Sequence, residues 1–250
     1  MHVRKAGYSC IVLAVLLTAC GGGPNQSGTD WIDRPQDQWP RIAMVNEIEY
    51  VDQYYPVAGC AFLLDTGSDT VAATAKHVLI YFKSDSMETI SFDDDLIRWV
   101  MHPKDRPGDS VVAGRMINED PGERIAYAPS KSDWLLFEIE KGSPEIEPLR
   151  FRDRPLEKGE RVFIVGWRYT DLDRPQVIYE GNVVGWGDGE VVISTEELAD
   201  NTIPGLSGAP VIDSGGRLIG LMSQKAGKNE RLAGIEYARE ILRTLAVMHQ

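Results

Sequence analysis

The chain has 250 residues, 43% of them hydrophobic and 26% charged, enough for one domain with a sizeable core or at most two small ones. Its 26 Lys and Arg stand against 38 Asp and Glu, a net charge of −12, which excludes a nucleic-acid binder relying on surplus cations to neutralise phosphates. Three Cys and 24 Gly without a triplet period exclude a disulfide scaffold and a collagen-like fibre, and only four His are present for any chemistry that needs imidazole.

Residues 1–19 read as an export signal. Arg4 and Lys5 precede an apolar run, residues 10–17, that is too short for a bilayer span of ~20 residues but fits a signal core. The run ends in Leu17-Thr18-Ala19-Cys20-Gly21, which resembles a bacterial lipobox and implies cleavage before Cys20 and acylation of that Cys. Loss of Arg4 and Lys5 takes the charge to −14. Acyl chains contribute ~0.8 kcal/mol per buried methylene, and two or more hold a protein stably on a membrane. Residues 20–40 are expected to be the lipidated tether, its first half rich in Gly, Ser, Asn and Gln. Gly21 resembles an outer-membrane sorting signal. The expected location is the bacterial cell envelope, on the periplasmic face of either membrane or at the cell surface.

Beyond residue 41 the chain reads as short β-rich runs. Strands are expected at 47–52, 59–64, 70–75, 88–92, 96–101, 110–117, 134–139, 161–167, 176–185, 189–194, 209–213, 217–223 and 231–236. Gly, Pro, Asp and Asn punctuation between them indicates antiparallel hairpins. No helical pattern sits between strands, which disfavours a parallel α/β fold. One helix is expected, Tyr237 to Met248, with Ala238, Ile241, Leu242 and Leu245 on one face. A dozen strands exceed one small barrel, so two packed barrels or sandwiches are expected, with residues 150–160 crossing between the halves. No internal repeat is visible. Cys60, the one thiol left after processing, lies in an apolar run and reads as buried and inert. No CxxC, HExxH or HxH spacing suggests a metal site, and no cofactor is expected.

Three blocks carry chemistry. His77 ends a small-residue run at 72–77, Asp133 opens the apolar strand Asp-Trp-Leu-Leu-Phe, and Ser207 sits in Gly205-Leu-Ser-Gly-Ala-Pro. Each has a bland reading: a surface His, a solvated turn acid, a Gly/Pro loop. A Ser between glycines on a tight turn also leaves backbone N–H groups free to form an anion pocket. Together they fall in the order His, Asp, Ser, separated by 56 and 74 residues, so that each can come from a different strand end. The Gly-x-Ser-x-Gly elbow of α/β-hydrolases needs a His after the Ser, and only His249 follows here. His102 reads as an ordinary loop His.

In this order the blocks resemble the trypsin-like, chymotrypsin-fold serine peptidases, especially compact bacterial members. The matches are Thr74-Ala-Lys-His77, Asp133-Trp-Leu-Leu136 and Gly205-Leu-Ser207-Gly-Ala-Pro210, with Gly59-Cys-Ala-Phe-Leu-Leu upstream and residues 216–223 downstream. The resemblance covers residues 41–250. It implies an all-β fold of two six-stranded antiparallel barrels with a C-terminal α-helix, and a serine endopeptidase acting on proteins or peptides. His77 would be the general base and acid, Asp133 its orienting carboxylate and Ser207 the nucleophile. The N–H groups of Gly205 and Ser207 would form the oxyanion hole, each worth on the order of 3 kcal/mol in such chemistry.

The resemblance also places Asn201 and Thr202 near the base of the primary pocket, with Ser223, Gln224 and Lys225 along its wall. The absence of Asp at 201 speaks against a preference for Arg or Lys, and Lys225 suggests acidic or polar side chains. Leu206 replaces the acid that in digestive members pairs with a newly cut N-terminus, so no such activation is expected. Lys76 stands where a small residue or Cys commonly precedes the His, a departure from the pattern that a solvent-pointing side chain could accommodate. The alternative is a catalytically silent lipoprotein that binds peptides or a partner on the same fold.

Overall fold

A computed structural model describes residues 31–127, 130–198 and 203–248. The expected signal peptide, Cys20, the first part of the tether, Asn201, Thr202 and His249 lie outside the described residues. No helix among the described residues is long and apolar enough to cross a membrane.

Two closed six-stranded antiparallel barrels make up the fold. The first is formed in ring order by strands Ala43–Tyr50, Cys60–Asp65, Thr70–Thr74, Leu135–Lys141, Val111–Met116 and Leu96–His102. Ala43–Tyr50 closes it by pairing on one side with Cys60–Asp65 (Met44 opposite Ala61) and on the other with Leu96–His102 (Val45 opposite His102). The second contains Arg161–Gly166, Val177–Gly187, Glu190–Ser194, Asn229–Gly234, Leu218–Ala226 and Pro210–Asp213. Closure removes the unpaired edges that would otherwise template aggregation. A strand with one face in a barrel and one in water alternates, and Val177–Gly187 does so over its first eight residues. Cys60–Asp65 is instead buried on both faces up to Asp65, which explains its continuous apolar sequence.

Three short strands were not legible in the pattern: Tyr54–Tyr55, Asp120–Arg124 and Leu149–Arg150. Two- and five-residue pairings with exposed or charged members carry no period-2 signal. A single helical turn, Val78–Tyr81, also follows His77 directly. The terminal helix spans Ile235–Met248, and its Ala238 is fully buried.

Packing begins before residue 41. Trp31 and Trp39 are buried, meet edge to face at 5.3 Å, and Trp39 meets Phe163 of the second barrel at 5.2 Å. Gln176 fixes the same segment: its Oε1 accepts from the N–H groups of Ile42 and Ala43, and its Nε2 donates to Pro40 O. The span 20–40 is therefore not tether throughout; from Trp31 it is docked, because two indoles gain more from burial than a polar linker loses by ordering.

Arg152 pins the chain to the second barrel where it crosses from the first, just after the short strand Leu149–Arg150. Its guanidinium is 2% exposed and contacts Glu160 (2.6 and 2.8 Å) and Asp213 Oδ2 (2.7 Å), while its backbone N–H bonds to Leu218 O. The two barrels are tied by Trp134, fully buried, whose indole N–H donates to Gly234 O at 3.0 Å.

Candidate active site

Strand pairing brings the site together. Thr70–Thr74 runs antiparallel to Leu135–Lys141 with Thr74 opposite Leu135, so residues just after the one and just before the other share one barrel edge. His77 and Asp133 occupy those positions. The backbone N–H of His77 donates to Asp133 Oδ1 at 2.8 Å, and His77 Nδ1 lies 2.6 Å from Asp133 Oδ2. On the other side of the ring, Nε2 is 2.7 Å from Ser207 Oγ. With Nδ1–H donated to the carboxylate, Nε2 carries the lone pair and accepts a hydrogen bond from the Ser207 hydroxyl. His77 is 8% and Asp133 1% exposed, so their hydrogen bond is shielded from water.

Ser207 comes from the second barrel. Its turn is held by Leu206, which is fully buried, and by hydrogen bonds from Gly208 N to Met222 O, from Ala209 N to Leu206 O and from Cys60 N to Ser207 O. Two glycines are required there. Gly205 has φ +104° and Gly208 φ +80°. A Cβ on Gly205 would lie 2.6 Å from Tyr169 N, and one on Gly208 2.3 Å from Cys60 O. The N–H groups of Gly205 and Ser207 donate to no described residue, so both are available beside the hydroxyl.

The remaining expected site residues divide. Ser223 packs against the acid. Its hydroxyl donates to Asp133 Oδ2, because the Leu218–Ala226 strand passes behind the acid on its way from Met222, whose carbonyl takes the Gly208 N–H of the Ser207 turn. Gln224 is half-buried opposite Arg231. Lys225 does not offer a free cation: its Nζ bonds Glu230 Oε1 and Leu198 O, each at 2.6 Å. Lys76 does not reach solvent either. It is 3% exposed, its ammonium meets both Glu123 oxygens at 2.8 and 2.9 Å, and it lies 5.8 Å over the Tyr237 ring. Glu123 belongs to the Asp120–Arg124 strand that the sequence did not reveal. His102 ends a strand rather than a loop, buried with Nε2 3.4 Å from Glu47 Oε2.

Cys60 is fully buried, its Sγ 3.2 Å from Gly205 O, and burial pushes its thiol up to about 12. A thiol that stays protonated is no competing nucleophile.

Residues 59–221 match the trypsin-like peptidase domain family. The chain belongs to that family. A crystal structure of the Rv3671c protease from M. tuberculosis in its active form is similar in fold, with a TM-score of 0.53, 15% identity, and 82% of this chain and 80% of that one covered. No curated protein sequence matches. The family places this trypsin-like peptidase among hydrolases of protein or peptide substrates.

Proposed function

We propose that this protein is an exported, membrane-anchored serine endopeptidase that cleaves peptide bonds through His77, Asp133 and Ser207. The unbroken hydrogen-bond chain from Asp133 through His77 to Ser207 carries this reading. Ser207 Oγ attacks the scissile carbonyl carbon as its proton passes to His77 Nε2. Asp133 holds the ring in the needed tautomer and stabilises the imidazolium without taking the proton. The N–H groups of Gly205 and Ser207 receive the oxyanion. Collapse breaks the C–N bond, and His77 returns its proton to the leaving amine. A water then enters, loses a proton to His77 and cleaves the Ser207 ester, freeing the acid product and restoring the hydroxyl.

Anchoring would follow from acylation of Cys20, placing the domain in a bacterial cell envelope. The reading is tested by pre-steady-state hydrolysis of an activated nitrophenyl ester. A burst of one nitrophenol per chain, absent in Ser207→Ala, is expected; steady turnover that survives Ser207→Ala would refute it. Metabolic palmitate labelling tests the anchor, with label expected on the wild type and lost in Cys20→Ser.

A further inference from the structure

Asn46 is fully buried in the first barrel, on the Ala43–Tyr50 strand. Trp99 fixes its orientation: an indole N–H can only donate, and it donates to Asn46 Oδ1 at 2.9 Å. The amide nitrogen therefore faces three acceptors, Ala58 O at 2.9 Å, Thr74 Oγ1 at 3.0 Å and Cys60 O at 3.1 Å. Thr74 is equally buried, and its hydroxyl donates to the same Cys60 O at 2.7 Å. Two side chains from two strands thus converge on one carbonyl.

Cys60 is also the residue that grips the nucleophile. Its N–H donates to Ser207 O at 2.7 Å, from the first barrel to the second. The turn seats directly on the fastened atoms, for a Cβ on Gly208 would lie 2.3 Å from Cys60 O and 2.6 Å from Thr74 Oγ1. Thr74 in turn ends the strand that leads, three residues later, to His77. One fastening therefore acts on both reacting groups, through the strand end that presents the base and through the backbone that holds the nucleophile. His77 and Ser207 come from different barrels, so the ladders within either barrel leave the distance between them unset. It must be set where the barrels touch, and misplacing reacting groups by 1 Å costs on the order of 10²-fold.

We infer that Asn46, acting with Thr74 on the carbonyl of Cys60, is a positioning residue that holds Ser207 in reach of His77 across the two barrels. The inference rests on the peptidase reading and adds to it a buried amide that touches neither substrate nor any reacting atom. A purely structural amide would support the barrel and leave the reaction of the folded protein untouched; this one governs the rate.

The test is fluorophosphonate inactivation of Ser207 alongside peptide hydrolysis, on wild type, Asn46→Leu, Thr74→Val and Thr74→Ser. Each protein is checked for folding by circular dichroism and urea melt. Thr74→Val keeps the shape and removes only the hydroxyl. It and Asn46→Leu should lower both the inactivation rate and kcat at least about tenfold, with KM within about twofold of wild type. Thr74→Ser, which keeps the hydroxyl, should recover most of the loss. The double variant should be little slower than the slower single one, because both side chains act through Cys60 O. A folded Thr74→Val that labels and turns over at the wild-type rate would overturn the inference, even with a lowered urea midpoint. A loss confined to KM, or a Thr74→Ser as slow as Thr74→Val, would overturn it too. A wild type that fails to label at Ser207 would remove the peptidase reading, and this inference with it.

Discussion

The hydroxyl of Ser223 and the imidazole of His77 converge on one oxygen, Oδ2 of Asp133. The carboxylate's other oxygen takes the His77 backbone N–H. A nearly fully buried anion is thereby matched by three donors, two from the residue it orients and one from the opposite barrel. Those donors satisfy the buried carboxylate and fix its orientation towards the His77 ring.

Ser223→Ala removes the only donor in this set that does not come from His77. We expect kcat to fall by about tenfold with KM nearly unchanged, because a charge-assisted bond worth roughly 1.5–3 kcal/mol is lost from Asp133 while the strand backbone stays in place. Steady-state kinetics on one peptide check this; a rise in KM at constant kcat would show that Ser223 acts on substrate binding instead.

Asp133→Asn keeps the shape but offers an N–H where Nδ1–H must be accepted. The ring would turn its lone pair away from Ser207. Loss of kcat on the order of 10⁴-fold is expected, with folding intact by circular dichroism.

Arg152→Met tests the pin at the crossing. Glu160 and Asp213, 11% and 1% exposed, would keep only the half-exposed Arg154 at 3.0 and 3.7 Å, and removing one partner of a buried network costs about 3–5 kcal/mol. Burial alone would raise the Glu160 carboxyl, but the hydrogen bond and charge of Arg152 outweigh it and hold it below the ordinary range. A depressed carboxyl contributes stability above its unfolded value and loses it as pH falls through the folded one. Urea melts of wild type and variant should therefore differ most at neutral pH and converge below about pH 4.

Cys60 should resist maleimide at pH 8 in the folded protein and react fully in denaturant. Its thiol is raised to about 12 by burial, so above roughly pH 8.5 the unfolded chain ionises while the folded one does not. Stability should fall with pH across that window, and Cys60→Ala should flatten the fall. Rapid native labelling would contradict the burial.

Much of this was readable in the sequence because it is local. The blocks around His77, Asp133 and Ser207 each combine a reactive residue with its own strand end, and the strands that present them have alternating or unbroken apolar patterns. What stayed hidden depends on partners far along the chain. Lys76 looked solvent-bound because Glu123 sits on a strand of five residues, Asp-Pro-Gly-Glu-Arg, whose composition argues against a strand at all. Trp31 and Trp39 fell within a span read as linker on the polarity of its first half, though two Trp so close together are themselves a packing signal. Glu230 could have been found: Ala226 pairs with Asn229 around Gly227-Lys228, and a two-residue hairpin there places Lys225 opposite Glu230.

The central claim is that Ser207 is a nucleophile made reactive by His77. Intact-mass analysis after treatment with a fluorophosphonate addresses it most directly. One adduct per chain on Ser207 is predicted, absent in Ser207→Ala and slowed by orders of magnitude in His77→Ala. An unmodified wild type, or an adduct that persists in Ser207→Ala, would contradict it.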